Sequence, residues 1–295
     1  MKILNVNRVS TMVGDWFTRA MAHPGESRYV QLGDVPIHYL SWGQEGRPVV
    51  LLVHGFRAHA RWWDFIAPLL ADEYRVVALD LSGMGESGRR KAYRTETFAQ
   101  DIIAVIKALN VKGVTIIGHS FGGGCSLRAA VEAPDLIDYV VVIDSYLHFP
   151  DHPPVRKQTT NTRKAAYGDF DEACRRFRLT PGQPCALPQI MEHLAKTSLR
   201  RVDGGWDWKF DPDLPLIVHD ARELALFSQV KARVDVIHGQ FSNVMDSVLA
   251  RRVADLLCDG RAPIEIPEGH HHIMVSQPLA LVSALRVLLA GACIS

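Results

Sequence analysis

The chain has 295 residues, of which 47% are hydrophobic, and its 33 basic side chains nearly balance its 32 acidic ones. This length suits one large domain, or one domain with an inserted subdomain. The balanced charge argues against nucleic-acid binding, and no run of about 18 apolar residues predicts a membrane span. The five cysteines are scattered without C-x-x-C spacing. This is typical of reduced thiols in a cytoplasmic protein, and the residues before Asp15 lack the apolar core of a signal peptide.

The first elements are a helix and a hairpin. Apolar residues from Val6 to Ala22 have helical spacing, which predicts an amphipathic helix that packs on its own domain or at a subunit contact. We therefore expect a monomer or a homodimer. Gly33 and Asp34 separate two short strand-like runs, Tyr29 to Leu32 and Ile37 to Trp42, as the turn of a hairpin does.

Strand-like and helix-like segments then alternate along the chain. The predicted strands cover residues 48–53, 75–79, 114–117, 139–143, 233–238 and 264–266. The predicted helices between and after them cover residues 61–70, 95–109, 121–132, 244–258 and 279–289. Such alternation predicts a mostly parallel α/β sheet.

The alternation is interrupted between Asp144 and about Gln229. Prolines at positions 150, 153, 154, 181, 184 and 188 punctuate short helical patterns there, and prolines this closely spaced exclude a central strand. We interpret residues 145–229 as a helical cap inserted over the sheet, with residues 1–144 and 230–295 forming the core.

A serine between glycines organises the middle of the chain. The segment Gly118-His119-Ser120-Phe121-Gly122 fits G-x-S-x-G, in which a sharp strand-to-helix turn raises a serine hydroxyl above a sheet. A β-branched strand precedes the motif and a helical pattern follows it. Unpaired N–H groups at the start of that helix would face an oxyanion formed at Ser120.

Two more chemically distinctive stretches also follow strands. His54-Gly55-Phe56 comes after an early strand, and three consecutive histidines from His270 to His272 come after the last one. The carboxyl ends of parallel strands are where open α/β sheets place their sites. A serine nucleophile needs a base within hydrogen-bond reach and an acid that fixes the base's tautomer.

From about Tyr29 to its end, the chain resembles an α/β-hydrolase-fold serine hydrolase. The resemblance lies in the His54-Gly55-Phe56 stretch, the D-x-x-G-x-G-x-S form from Asp80, the serine motif, and the late histidines, which are similar to those of the serine hydrolase-like branch. It implies an eight-stranded, mostly parallel sheet with a helical cap after the sixth strand. It also implies Ser120 as the nucleophile, with the backbone N–H groups of Phe56 and Phe121 as the oxyanion hole.

Three adjacent histidines compete for the role of base. In the resembled family the base lies seven residues before the proline that opens the last helix, and counting back from Pro278 gives His271. His272 is the reserve, and His270 is interpreted as structural. A metal site is the other reading of a histidine triplet, but adjacent residues rarely point at one ion, so we expect no metal and no cofactor.

The acid departs from the commonest family pattern. Where many relatives carry G-x-x-D after the seventh strand, this chain has Ser242 at the expected place. Asp246 lies four residues further on, and Asp144 ends the sixth strand. We prefer Asp144, because it directly continues a buried strand, and keep Asp246 as the alternative.

The predicted reaction is cleavage of a carboxylic ester of a small, largely apolar molecule. The expected substrate-binding residues are His54, Arg57, His119, Tyr146, Trp206 and Trp208. Equally, the two tryptophans could only anchor the cap to the body. A lactonase, thioesterase or carbon–carbon bond hydrolase would use the same triad, and a non-catalytic ligand-binding member of the fold is the alternative of another class.

Overall fold

Eight strands form a single sheet. The structure is a computed structural model that describes residues 15–149, 151, 166–215 and 221–292. The strands are β1 (Glu26–Leu32), β2 (Val35–Trp42), β3 (Val49–Val53), β4 (Arg75–Leu79), β5 (Val114–His119), β6 (Ile137–Ile143), β9 (Arg233–Gly239) and β10 (Ile264–Ile266). Their order across the sheet is β1-β2-β4-β3-β5-β6-β9-β10. The pairings β1–β2 and β2–β4 are antiparallel, and every other pairing in this sheet is parallel.

Helices cover both faces of this sheet. Residues 15–21 form the described part of α1. The others are α2 (Thr95–Leu109), α3 (Phe121–Glu132), α4 (Phe170–Arg176), α5 (Pro188–Thr197), α6 (Ala221–Phe227), α7 (Ser247–Leu257), α8 (Ile273–Ser276) and α9 (Pro278–Ala292). Side chains of α2, α3 and α7 pack with one face of the sheet, and those of α1, α8 and α9 pack with the other.

The central strands are buried on both faces, which explains their sequence. All five residues of β3 and all five of β4 are buried, and their runs of valine and leucine show no polar alternation. Parallel pairing aligns the carboxyl ends of β3, β5 and β6 at one edge of the sheet. Residues that directly follow these three strands are therefore neighbours in space.

Most predicted elements are confirmed with shifts of a few residues, and one of the core elements differs. The helix predicted over residues 61–70 is instead two short 3₁₀ turns, Ala60–Trp63 and Ala67–Leu69, the second with Pro68 inside it. Trp16 and Phe17 of α1 are buried against the domain, while the rest of the predicted N-terminal helix lies outside the described residues.

The segment between β6 and β9 is less purely helical than predicted. Besides α4, α5 and α6 it contains an antiparallel hairpin of β7 (Leu199–Val202) and β8 (Gly205–Trp208). The hairpin turns at Gly204, whose φ of 83° favours glycine, and it forms its own two-stranded sheet. The closely spaced prolines exclude a strand of the central sheet, but residues 199–208 contain no proline and lie outside that sheet. The prolines therefore did not exclude this separate hairpin.

The predictions on membrane spans and on cysteines are compared here with the described residues. None of the helices there combines the length and apolar character needed to cross a membrane. The cysteines at positions 125, 174, 185 and 258 are free thiols.

Candidate active site

Ser120 lies at the turn between β5 and α3. Its φ of 54° and ψ of −123° are strained for a residue with a side chain, and it directly precedes α3 as the N-cap residue of that helix. The turn is held by the Ser120 N–H, which donates to Ile143 O at 2.8 Å, and by the Gly123 N–H, which donates to Ser120 O at 2.9 Å. The half-buried side chain thus stands at the positive end of a twelve-residue helix.

The two glycines that flank this turn are required by close approach. A Cβ on Gly118 would stand 2.6 Å from Gly122 O, and a Cβ on Gly122 would stand 2.5 Å from His54 O. Both distances are far below van der Waals contact, so larger residues would push the backbone of the turn apart. The spacing G-x-S-x-G is therefore a steric consequence of this geometry.

Asp144 and His271 form a buried hydrogen-bonded pair. His271 Nδ1–H donates to Asp144 Oδ1 at 2.7 Å, and Asp144 is fully shielded from solvent. Because a carboxylate only accepts hydrogen bonds, this contact fixes the proton on Nδ1 and leaves Nε2 as the basic nitrogen. Two further donors reach the carboxylate, Gly239 N–H at 2.9 Å and Ser242 Oγ–H at 2.6 Å.

Ser242 is a site residue that sequence reasoning missed. It occupies the position where many relatives carry the acid, and its hydroxyl donates to the oxygen of Asp144 that binds His271. The only available signal was the replacement of aspartate at that place. Asp246, the alternative acid, instead caps α7, since its Oδ1 accepts the Leu249 N–H at 2.7 Å.

His119 joins the histidine loop to the serine turn. Its Nε2–H donates to His271 O at 2.9 Å, and the rings of His119 and His271 lie 4.9 Å apart. The base candidate is therefore held beside the residue that precedes Ser120. Burial, with a positive charge on His271 as the second cause, lowers the pKa of His119 well below its usual range, so this ring stays neutral.

Gln183 in the inserted segment clamps the same loop. Its amide oxygen accepts the His272 N–H at 2.7 Å, and its amide nitrogen donates to His272 O at 3.0 Å. The His272 ring donates through Nε2–H to Thr180 O at 3.2 Å. No sequence signal pointed to Gln183, because its partner is 89 residues away. His270 turns aside, with its ring against Phe241.

His119, His271 and His272 together have the spacing of metal ligands. Within the described parts of the chain they are the one such group, with a ring nitrogen of each within 4.8 Å of the others. Hydrogen bonds already occupy one nitrogen on every ring. Because His271 Nδ1 is bound to Asp144, a metal ion would have to take Nε2, the nitrogen that a serine nucleophile needs. The absence of a metal stays a prediction.

The loop after β3 lies against the serine turn. A Cβ on Gly55 would be 3.2 Å from Ser120 Cβ, and the rings of Phe56 and Phe121 meet edge to face with centroids 5.7 Å apart. His54 holds this loop, since its Nδ1–H donates to Gly55 O at 2.7 Å and its Nε2 accepts the Leu81 N–H at 3.1 Å. Both ring nitrogens of His54 are thereby used within the protein, which leaves none for a substrate.

The remaining predicted binding residues divide into two groups. Arg57 and the half-buried Tyr146 follow strands at the edge that carries Ser120, and Tyr146 packs against the core. The two tryptophans have their ring contacts inside the inserted segment: Trp206 with Phe170 at 4.6 Å, and Trp208 with Tyr167 at 5.9 Å and Phe177 at 6.2 Å. Substrate contact by Trp206 or Trp208 stays a prediction.

This fold and site define a class of protein. A model of the alpha/beta hydrolase fold matches residues 48–278, most of the chain. The chain therefore belongs to the alpha/beta hydrolase fold family, as its motifs predicted, and several of its relatives are named as hydrolases.

Two relatives with known names show sequence similarity to this chain. The chain is 28% identical over 270 residues to a serine hydrolase-like protein of Danio rerio, covering 83% of this chain and 82% of that protein. It is 35% identical over 136 residues to epoxide hydrolase 4 of Mus musculus, covering 44% of this chain and 36% of that protein.

Solved structures share the fold. An E-2-(acetamidomethylene)succinate hydrolase matches with a TM-score of 0.75 at 20% identity, covering 90% of this chain and 99% of that one. The thioesterase domain from the curacin biosynthetic pathway matches with a TM-score of 0.73 at 23% identity, covering 88% and 98%. At these identities the likeness concerns the architecture alone.

Proposed function

We propose that the chain is a serine hydrolase that cleaves a carboxylic ester of a small, largely apolar substrate through an acyl-enzyme on Ser120. The observation that carries the proposal is the 2.7 Å hydrogen bond from His271 to buried Asp144, in a loop that His119 ties to the strained serine turn at a helix N-terminus. An orienting acid, a base with one free nitrogen and a positioned hydroxyl are the parts that acyl transfer needs.

In the proposed mechanism, His271 Nε2 accepts the Ser120 proton as Oγ attacks the ester carbonyl carbon. The tetrahedral oxyanion is stabilised by the backbone N–H groups of Phe56 and Phe121, each worth roughly 3 kcal/mol. His271 then protonates the leaving alcohol. In the second half-reaction His271 activates a water that attacks the acyl carbon, and the acid and free Ser120 are released.

Residues 145–229 act as the lid of this site in our proposal, with residues 1–144 and 230–295 as the core. The contacts of Thr180 and Gln183 with His272 support it, because they join the inserted segment to the loop that carries the base. The lid would cover the bound substrate and restrict access of water.

A panel of substrates tests the reaction. Purified protein is given 4-nitrophenyl esters from acetate to decanoate, beside lactones and dienol ketones, with the Ser120→Ala variant as control. We expect the unmodified protein to cleave esters and Ser120→Ala not to cleave them. When the reaction is quenched, mass spectrometry should find one acyl group on Ser120 of the unmodified protein.

Other outcomes assign other functions. Turnover of lactones or dienol ketones without esters would replace ester cleavage by one of the alternative hydrolase reactions. Turnover of nothing, with no reaction of Ser120 with an active-site probe, would favour a ligand-binding member of the fold.

A further inference from the structure

Arg57 stands at the junction between the serine turn and the inserted segment. It is two residues beyond Gly55, which touches Ser120, so its Cα lies within about 8 Å of the Gly55 Cα. Its guanidinium carbon is 5.3 Å from the ring centre of Phe56 and 4.7 Å from that of Phe210. One ring belongs to the proposed oxyanion loop and the other to the proposed lid.

The charge of this guanidinium has no counterion among the described residues, where no carboxylate oxygen lies within 4.0 Å of it. The acids that lie closest in sequence to its contacts Met84 and Phe210 are engaged elsewhere: Glu86 accepts from Lys209 Nζ at 2.5 Å, and Asp211 accepts from Tyr93 at 2.7 Å. Two aromatic faces attract a cation but do not neutralise it.

Burial also acts on the side chain of Arg57. The residue is about half-buried, and desolvation lowers its pKa from the ordinary value. Its Nε is shielded from solvent and has no hydrogen-bond partner in the described structure. A buried donor without an acceptor is rare in proteins and calls for an explanation.

The backbone at this residue is strained as well. Arg57 has a φ of 60°, in the left-handed region that long side chains seldom adopt, and its N–H donates to Met84 Sδ at 3.2 Å. Strain, desolvation and an unpaired charge all lower stability. Together they point to binding, since none of them helps the chain to fold.

We propose that Arg57 binds a carboxylate of the substrate, so that the preferred ester carries a negative charge several carbons away from the scissile carbonyl. A guanidinium presents N–H groups in a planar fork that matches the two oxygens of a carboxylate. The flanking rings of Phe56 and Phe210 hold this fork in place and exclude water from it. The inference rests on the proposed ester hydrolysis and names its substrate class.

Matched pairs of esters test the subsite. The ratio of kcat/KM for mono-4-nitrophenyl adipate to that for 4-nitrophenyl hexanoate isolates the contribution of the charge. We expect a ratio above one in the unmodified protein, a tenfold to hundredfold fall in Arg57→Met, roughly the loss of a charged hydrogen bond, and an intermediate value in Arg57→Lys. Arg89→Met is the control, because Arg89 already has Asp211 at 4.0 Å, and it should keep the ratio.

Two further readouts keep the result decisive. The thermal midpoint of Arg57→Met should not fall, whereas loss of a structural arginine would lower it. An unchanged ratio in Arg57→Met, or equal falls in Arg57→Met and Arg89→Met, would overturn the subsite. If no ester is cleaved, the proposed function fails while the subsite is still measured by calorimetry with monomethyl adipate. Binding at least tenfold weaker in Arg57→Met supports it, and equal or undetectable binding in both proteins refutes it.

Discussion

Two regions of this molecule carry a serine, a histidine and an aspartate, and they differ in what surrounds the serine. Away from Ser120, Ser27 Oγ–H donates to His38 Nε2 at 2.9 Å, and His38 Nδ1–H donates to Asp80 Oδ2 at 2.7 Å. His38 and Asp80 are as thoroughly buried as His271 and Asp144. By the histidine–carboxylate distance alone, the two regions are indistinguishable.

The difference lies in the backbone of each serine. Ser27 is inside β1, where its main chain takes part in regular pairing with β2 and no helix begins. Ser120 has a positive φ at the start of α3, close to Gly55 and Phe56. A hydrogen-bonded serine without donors for an oxyanion lacks the largest contribution to acyl transfer. We therefore expect Ser27 to be inert.

Removal of each hydroxyl gives the largest expected contrast. Ser120→Ala should lower kcat by roughly six orders of magnitude, because the triad acts as a unit. Ser27→Ala should change kcat less than about twofold, since exposed Ser27 touches no reacting group. Initial rates on one activated ester measure both, with thermal unfolding as the check on folding. Similar losses of kcat in the two variants would show that Ser120 and Ser27 do not differ in reactivity as we expect.

The aspartates give the next contrast. Asp144→Asn should cost about 10⁴-fold in kcat, because an amide favours the wrong tautomer of His271. Asp246→Asn should cost less than about tenfold, since that carboxylate caps α7. Single and double variants are compared on the same ester. A large loss of kcat in Asp246→Asn would assign the acid to Asp246, in the loop after β9. A loss of kcat in the double variant only would mean that the two carboxylates substitute for each other.

Asp80 should contribute to the pH dependence of folding stability in acid. Burial raises its pKa, but the hydrogen bond and positive charge of His38 outweigh burial and lower the pKa to about 2. The lowered pKa stabilises the fold above about pH 4, and this stabilisation is lost as the pH falls toward 2. The unmodified protein should lose roughly 2 kcal/mol more than Asp80→Asn over that interval, measured by urea unfolding. Parallel curves would show that Asp80 does not carry this stabilisation.

His272 should act in a milder pH range. Burial, then a positive charge on His271, lowers its pKa well below the usual range. Below about pH 6.5 His272 is protonated in the unfolded chain but stays neutral in the folded protein, so the free energy of unfolding falls as the pH falls. His272→Phe should flatten that decline between pH 6.5 and 5 by about 1 kcal/mol per pH unit. A decline equally steep in the variant would show that His272 does not cause it.

Local patterns predicted much of the fold. The β-branched runs of β3 and β5 and the glycines around Ser120 carry their structure in a few adjacent residues, so their positions were predictable. The β7–β8 hairpin was not, because Gly204 and Gly205 also suit a mobile approach. Contacts such as Gln183 with His272 join residues far apart in the chain, and no local pattern predicts them.

Reaction with a fluorophosphonate tests the central distinction most directly, since it requires both an activated serine and oxyanion donors. After trypsin digestion, Ser27 lies in the peptide of residues 20–28 and Ser120 in that of residues 113–128. We predict one phosphonyl group, located on Ser120 by fragmentation, lost in Ser120→Ala and retained in Ser27→Ala. A phosphonyl group on Ser27, or labelling that persists in Ser120→Ala, would contradict the account.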